Sequence, residues 1–557
     1  MIRNKKILYI LAAGLVVFGT SCKKYLDVNQ NVNDPVAVPT STLITTAELN
    51  LGNNLSYGGL SGYLAVYMHQ MSTRETANQY GVRGATVDGV WNGFFQQTLP
   101  DIDVMIRQAT AEDNLQYAGI AKILKAYTFS QIVDVWGDVP YSEYNRFKEG
   151  INQPAFDDDA TIYPKLLALL DEGIADIQNT TAKNPTKPGA TDVIYKGNTA
   201  NWVKAANTIK LKLYTQLRKV QNVSTEVTAL LSTPANLINS NAESFVLPYG
   251  PLGATDDRNP GFGDYTATQR SNHVSPWFYE ILKGYNPNIF TGIADPRIKY
   301  YIYNQLTPSA AAQSNTEYRD GAFVSIYFGS TGPNRDGNQQ NSISVFGIYP
   351  VGGRYDAGTG GVASANSGTG AAPYRFITYA DRLFLEAELI NAGVITGDDR
   401  TVFNNALKAS MSQIDYFITT YVKPTQTVPA LATAAAATTY INSIMSLYDA
   451  ATTERKLEYI MTEKWLSSVG SSVDQYTDYR RTGYPILFDP GDPAMAPGGK
   501  AQPPIDGNPF VSPQLAVPVA RGVNFAQSLP WSQNELDLNG NAPDQKQPDS
   551  YKIFWKP

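Results

Sequence analysis

The sequence predicts a mainly α protein: a tetratricopeptide-like scaffold of helical repeats that carries long loop inserts and a few short strands. Three observations predict it. Long stretches place apolar residues at helical spacing. These stretches come in adjacent or facing pairs. Between two groups of them lies an insert, about 245–372, rich in Gly, Pro, Asn, Ser and Tyr with only short alternating runs. A stripe recurring every three to four residues marks one buried face of a helix. Helices in pairs suggest a repeat scaffold, although the full tetratricopeptide motif and a strict period are absent.

The first such stretch covers 117–135, where Ile120, Leu124, Tyr127 and Ile132 recur, and Gly137 and Pro140 end it. A second covers 159–178 with Ile162, Leu166, Leu170, Ile174 and Ile177. Asp157, Asp158 and Asp159 stand at its start, where carboxylates favour the helix dipole, so the acid run reads as capping rather than a calcium site. A third covers 199–220 through Trp202, Ala206, Ile209, Leu213 and Leu217. The insert follows, and its runs "AFVSIYFGS" and "SISVFGIYP" read as short strands. "DAGTGGVASANSGTG" within it reads by composition as a flexible lid or linker. Helical stripes resume at 375–392, 401–420 and 451–469. On the last, Glu454, Glu458 and Glu463 with Arg455, Lys456 and Lys464 read as a solvated face of i,i+4 pairs. The tail from Tyr484 to Pro557 has no long periodic segment.

The first residues concern address rather than fold. Arg3, Lys5 and Lys6 precede an apolar run from Ile7 to Phe18. As a helix that run spans roughly 18 Å, too short for a hydrocarbon core of about 30 Å. A basic start, a short apolar run and small residues before a cut make residues 1–21 an export signal. The small residues Gly19, Thr20 and Ser21 lead into Cys22, the only cysteine in the 557 residues. A lone thiol at that point is where a diacylglyceryl group would be attached, and two or more acyl chains hold a protein at a membrane where one is marginal. Residues 22–40, rich in Asn, Asp and Pro, then read as a tether, and 41–557 as one binding domain.

Composition excludes several classes. With 43% apolar residues and a net charge of −6 the chain is not disordered. One cysteine cannot staple a disulfide fold, and 44 basic against 50 acidic residues give no nucleic-acid footprint. Only His69 and His273 are available to any histidine-dependent triad or metal site. No nucleophile elbow, zinc-binding helix motif or phosphate loop appears, so no cofactor, no metal and no catalytic residue is assigned. What stands out is 35 Tyr, 21 Phe and 7 Trp among many amides. Sugars present flat C–H faces for rings and hydroxyl rims for amides, so such content suits glycan binding. Trp136, Trp202 and Trp465 fall in helical stretches and read as core; Trp91 and Trp277 follow polar stretches and are better candidates for a site.

In order along the chain, "SCKKYLDVN" (21–29), "DVWGDVPYSE" (134–143), "DDDATIYPKLLALLDEGIADI" (157–177), "YRFITYADRLFLEAELINAG" (374–393) and "ERKLEYIMTEKWLSSVGSSVDQYTDYRRTGYP" (454–485) resemble the SusD/RagB outer-membrane lipoproteins of the Bacteroidota. The resemblance implies a tetratricopeptide-like scaffold with loop inserts, a non-enzymatic role in nutrient uptake, a glycan as the usual ligand, and a SusC-like TonB-dependent transporter as partner, at the outer membrane and facing outward. The acidic signal some members carry after the cysteine is absent, since Lys23 and Lys24 follow it. It also directs attention to two loops. In 72–92 these are Arg74, Tyr80, Trp91 and Asn92; in 263–280 they are Tyr265, Arg270 and Trp277. Each set offers rings for a sugar face and polar groups for its rim. Two other readings stand beside this one: a structural scaffold or adhesin with no small ligand, and a surface glycoside hydrolase.

Overall fold

The computed structural model describes residues 38–253, 256–499 and 517–557. Cys22 and the signal and tether before residue 38 lie outside the described residues. The N-terminal half is a run of helices, successive ones packed on each other from the fourth onward: α1 (Thr40–Leu55), α2 (Leu60–Tyr67), α3 (Gly84–Asn92), α4 (Leu99–Ala111), α5 (Leu115–Trp136), α6 (Asp159–Gln178), α7 (Thr199–Leu217) and α8 (Ser224–Leu231). A π-helical turn, Gly93–Thr98, joins α3 to α4.

The stretches expected at 117–135, 159–178 and 199–220 are α5, α6 and α7. From Tyr117 on, α5 is buried on nearly every side, as a helix with no polar face must be. It crosses α6 at two glycines, where a Cβ on Gly119 would sit 2.5 Å from the Gly173 carbonyl oxygen. The Asp158 carboxylate caps α6 by accepting the Ala160 N–H at 2.9 Å, the capping role read from the acid run. The buried Trp136, Trp202 and Trp465 belong to the core.

The insert contributes strands to four short antiparallel pairs, two of them with partners outside it. β1 (Met71–Thr73) pairs with β3 (Asn272–Val274), β2 (Phe245–Leu247) with β8 (Tyr374–Ile377), β4 (Ile302–Tyr303) with β7 (Val345–Phe346), and β5 (Tyr318–Asp320) with β6 (Phe323–Ser325). Between β3 and β4 lies α9 (Pro276–Lys283). The Gly- and Ser-rich run 356–370 is not a free lid. Gly361 N–H donates to the Gln305 carbonyl, the Tyr303 hydroxyl donates to the Gly360 and Gly361 carbonyls, and Ala363 is buried.

The scaffold resumes with α10 (Tyr379–Asn391), α11 (Asp399–Phe417), α12 (Ala435–Asp449), α13 (Thr453–Ser467) and α14 (Val473–Thr482). The expected helix at 375–392 begins later than its stripe, because 374–377 is strand β8. Thr378 then caps α10, accepting the Asp381 N–H while Asp381 accepts the Thr378 N–H. α10 packs on α7, α11 and α13, and α14 reaches back to α2 and α5, closing the two halves on each other.

Two sequence readings change here. α13 is a solvated face only at its start, where Glu454 and Arg455 are exposed and Arg455 pairs with Glu458 at 2.6 Å. Glu463 is fully buried, paired with Arg297 from the insert at 2.8 Å, and Lys464 pairs with Asp478 of α14 at 2.7 Å. Burial demands a partner for each charge, and distant segments supply both. The described residues of the tail, irregular as expected apart from two 3-10 turns and α15 (Gln533–Leu538), are tied into the core. The Trp136 indole donates to the Pro530 carbonyl, Trp531 to that of Asp138, and Trp555 to the Asp134 carboxylate.

Candidate functional site

α2 ends at Tyr67, and the chain turns sharply into β1 through His69, whose φ is +55°. After β1 the loop 74–83 makes a 3-10 turn, Thr76–Gln79, that closes on Tyr80 at φ +58°. Non-glycine residues seldom occupy this left-handed region, and the ones that do are held there by their surroundings. Here the surroundings are explicit. The Tyr80 hydroxyl lies 2.9 Å from His69 Nε2, and the Tyr67 hydroxyl donates to the Tyr80 carbonyl at 2.8 Å. The Tyr80 ring packs edge-on to Tyr67 and against Phe328 and Phe525.

Two other segments meet this loop. Asn78 accepts the Thr73 N–H and donates to the Tyr327 carbonyl of the insert, and Gly329 N–H donates to the Asn78 carbonyl. From the tail, Gly522 N–H donates to the Gln79 carbonyl at 3.2 Å. Arg74, half-buried, reaches across to the Gly337 carbonyl at 2.8 Å. The loop and the tail, without the insert, enclose an open cleft of about 390 Å³ whose lining includes Gln79, Tyr80, Arg83, Val523, Asn524 and Asp549. Arg83, Asn524 and Asp549 are exposed, and Asn524 donates to Asp549 at 3.0 Å.

Burial sets the electrostatics below the face. The His69 and His273 imidazoles are pushed down to about 3, His273 also by the nearby Arg74 cation, so both are neutral at pH 7. Burial raises the Glu317 carboxyl to about 7, although the Ser330 hydroxyl and Tyr327 N–H donate to it. The cleft itself offers a ring edge, amides, one cation and one carboxylate: groups that orient a polar ligand.

The candidate residues separate into three groups. Tyr80 lines the cleft just described, while Arg74, in the same loop, is turned to the Gly337 carbonyl and does not line it. Trp91 and Asn92 lie at another cleft, of about 490 Å³. Trp91 is 1% exposed, between Phe95 (4.7 Å) and Phe156 (6.2 Å) and edge-on to Trp136, with its indole N–H toward Glu535 at 3.4 Å. It is a wall of that cleft, not a stacking platform. Tyr265, Arg270 and Trp277, expected at a ligand, are buried inside the insert. Tyr265 stacks on Phe262 and donates to the Phe346 carbonyl. Arg270 is spent on the carbonyls of Asp264, Gln340 and Ala363. Trp277 is 1% exposed and its indole donates to the Ile486 carbonyl at 3.3 Å. The two rings present no free face because burying a ring and satisfying its polar atom inside are both favourable. Sequence reading missed Gln79, Arg83, Val523, Asn524 and Asp549. Only Gln79 and Arg83 had a local signal, their place beside Tyr80.

One acidic group has metal-like spacing: oxygens of Asp138, Asp158 and Asp159 lie within 4.8 Å of one another. All three carboxylates already accept backbone N–H groups, from Asp159, Ala160 and Phe554 respectively. They stitch the start of α6 to the tail.

Comparison with known proteins follows this geometry. A family model described as "SusD-like: Starch-binding associating with outer membrane" matches residues 32–504. The chain belongs to the SusD-like family. A search of curated proteins finds no match. Among solved structures, a SusD homolog from Bacteroides fragilis is 18% identical with a TM-score of 0.65, covering 93% of this chain and 99% of its own. A SusD/RagB family protein from Bacteroides thetaiotaomicron is 18% identical with a TM-score of 0.63, covering 93% and 99%. A chitin-binding SusD homolog from Flavobacterium johnsoniae is 19% identical with a TM-score of 0.63, covering 92% and 98%. At these identities the likeness is one of fold. This SusD-like protein therefore shares the overall fold of those structures. Among its described residues no helix is long and apolar enough to cross a membrane.

Proposed function

We propose that the chain is a lipid-anchored outer-membrane protein that binds a nutrient oligosaccharide on the 74–83 face and delivers it to a SusC-like TonB-dependent transporter. The observation that carries the site is the meeting of the 76–83 loop with two distant tail segments, 522–526 and 547–549, on one open cleft, with Tyr80 held in the left-handed region. Loops fixed on a rigid scaffold are where recognition concentrates. Two further facts support the ligand class: the family's description as starch-binding and a structural relative described as chitin-binding. Attachment would be through Cys22, with the outward orientation and the transporter partnership following from the family.

A glycan array probed with the mature chain, followed by product analysis of any sugar bound, separates the readings. A binder retains an intact oligosaccharide. Cleavage products would make it a hydrolase, and no bound sugar would leave a scaffold or adhesin. Mild detergent extraction should bring down a large β-barrel protein with it.

A further inference from the structure

The second cleft, on the far side of α3 from the 74–83 loop in sequence, is the most ligand-like surface that the reading above leaves unused. Three elements wall it: the α3–α4 junction, the segment 140–154 after α5, and the end of α15. These walls are pinned to one another. Asn539 donates to the Pro154 carbonyl at 2.8 Å, Ala155 N–H donates to Glu143 at 2.8 Å, and the Tyr144 hydroxyl donates to Asp103 at 3.0 Å. A cleft already fixed loses little conformational entropy when it is filled. Its volume, about 490 Å³, falls in the range of small-ligand sites.

The chemistry of the lining narrows the occupant. Phe147 is 69% exposed and Leu538 78% exposed. They leave apolar surface in water at the mouth of a cleft whose floor, Phe95 and Tyr144, is aromatic. Around that surface stand amides, with Asn92, Asn145 and Asn152 among them. Among the described residues that line the cleft there is no lysine, arginine or histidine, while Glu143 and Glu535 supply carboxylate oxygens. Of the cations near the lining, Lys125 is paired with Asp103 at 2.8 Å and Arg146 with Glu149, and Lys148 stands exposed beside Phe147 but outside the lining. Ring faces with an amide and carboxylate rim match a ligand with C–H faces and many hydroxyls. The lack of a cation beside two carboxylates disfavours an anionic one. No strand among the described residues borders the cleft, so an extended peptide would find no edge to pair with.

We propose that this cleft is a second carbohydrate site, taking a short uncharged oligosaccharide by stacking on Phe147 and hydrogen bonding to the amide rim, and rejecting acidic glycans. It extends the oligosaccharide reading to a site with its own residues and its own selectivity.

The test is isothermal titration of the mature chain with chitotetraose, cellotetraose, maltotetraose and xylotetraose, and with tetragalacturonate as the acidic probe. Phe147→Ala and Asn152→Ala alter exposed residues and leave the core intact; Arg83→Ala alters the other cleft. The expected result is that at least one neutral probe binds, that Phe147→Ala weakens that binding roughly tenfold, that Asn152→Ala weakens it less, and that tetragalacturonate does not compete. Binding lowered by Arg83→Ala but unmoved by Phe147→Ala and Asn152→Ala overturns the second site and leaves the first standing. Binding lowered only at Phe147 supports the second site and removes the first. If no neutral probe binds, or Phe147→Ala instead abolishes capture of a protein partner with no sugar bound, the proposal fails.

Discussion

Replacing Arg297 by Met should loosen the insert from the scaffold, and the structure gives the size of the effect. Arg297 is fully buried. Its guanidinium donates to both Asp295 oxygens, to Glu463 of α13 at 2.8 Å, to the Tyr440 hydroxyl of α12 at 3.1 Å and to Ser410 of α11 at 3.3 Å. Methionine fills similar space without charge, so the loss is mainly electrostatic. Asp295 and Glu463 are left buried with no cation between them. Removing one partner of a buried ion pair typically costs about 3–5 kcal/mol, and here one removal strands two carboxylates. Burial already raises the Glu463 carboxyl above its ordinary value, with Arg297 pulling it down. Without Arg297 it rises further. An acid whose folded value lies above its unfolded one weakens the fold when ionised, and recovers stability as pH falls through the folded value. The defect should therefore be largest at pH 8 and shrink by pH 5. Denaturant unfolding of wild type and Arg297→Met at the two pH values measures this. Adding Glu463→Gln to the variant should restore part of the loss, because one stranded charge is gone. A defect below about 1 kcal/mol, or one equal at both pH values, would refute the reasoning.

Three further outcomes are expected. Trp277→Ala should destabilise the fold by about 3–5 kcal/mol, the cost of emptying a buried indole site, read as a drop in melting temperature, and sugar affinity should follow only through unfolding. Glu317, pushed up to about 7 by burial, costs stability when ionised. Relative to Glu317→Gln, wild type should therefore gain on the order of 2–3 kcal/mol between pH 8 and pH 5; parallel pH profiles would contradict this. Cys22→Ala should release the chain from the outer-membrane fraction into the soluble one, and firm retention of the variant would contradict acylation there.

Helices whose stripes have a clean face were legible in the sequence, because their periodicity is local: α6 and α7 begin where their stripes do. Boundaries failed where another local pattern competed, as at 374–377, where alternation and pairing with β2 hold a strand just before the Thr378 cap. The charge reading of α13 held at its exposed start and failed at its buried end for a longer-range reason. Glu463 looks like one half of a surface pair until Arg297, 166 residues away, is placed against it. Site residues suffered most. A polar stretch before Trp277 suggested a ring at the surface, yet the ring packs beside Phe488 far along the chain. Nothing local to Asn524 or Asp549 marks them as neighbours of Gln79. Their meeting depends on the tail folding back, which no window of sequence displays.

The central claim is that the 74–83 face binds an oligosaccharide. Titration of the mature chain with the sugar selected on the array, against Gln79→Ala and Arg83→Ala, tests it most directly, because both side chains line the cleft and neither is buried in the core. The account predicts saturable binding by wild type, weakened several-fold to a hundredfold by these changes with melting temperatures unchanged. Saturable binding that both variants retain in full would contradict it.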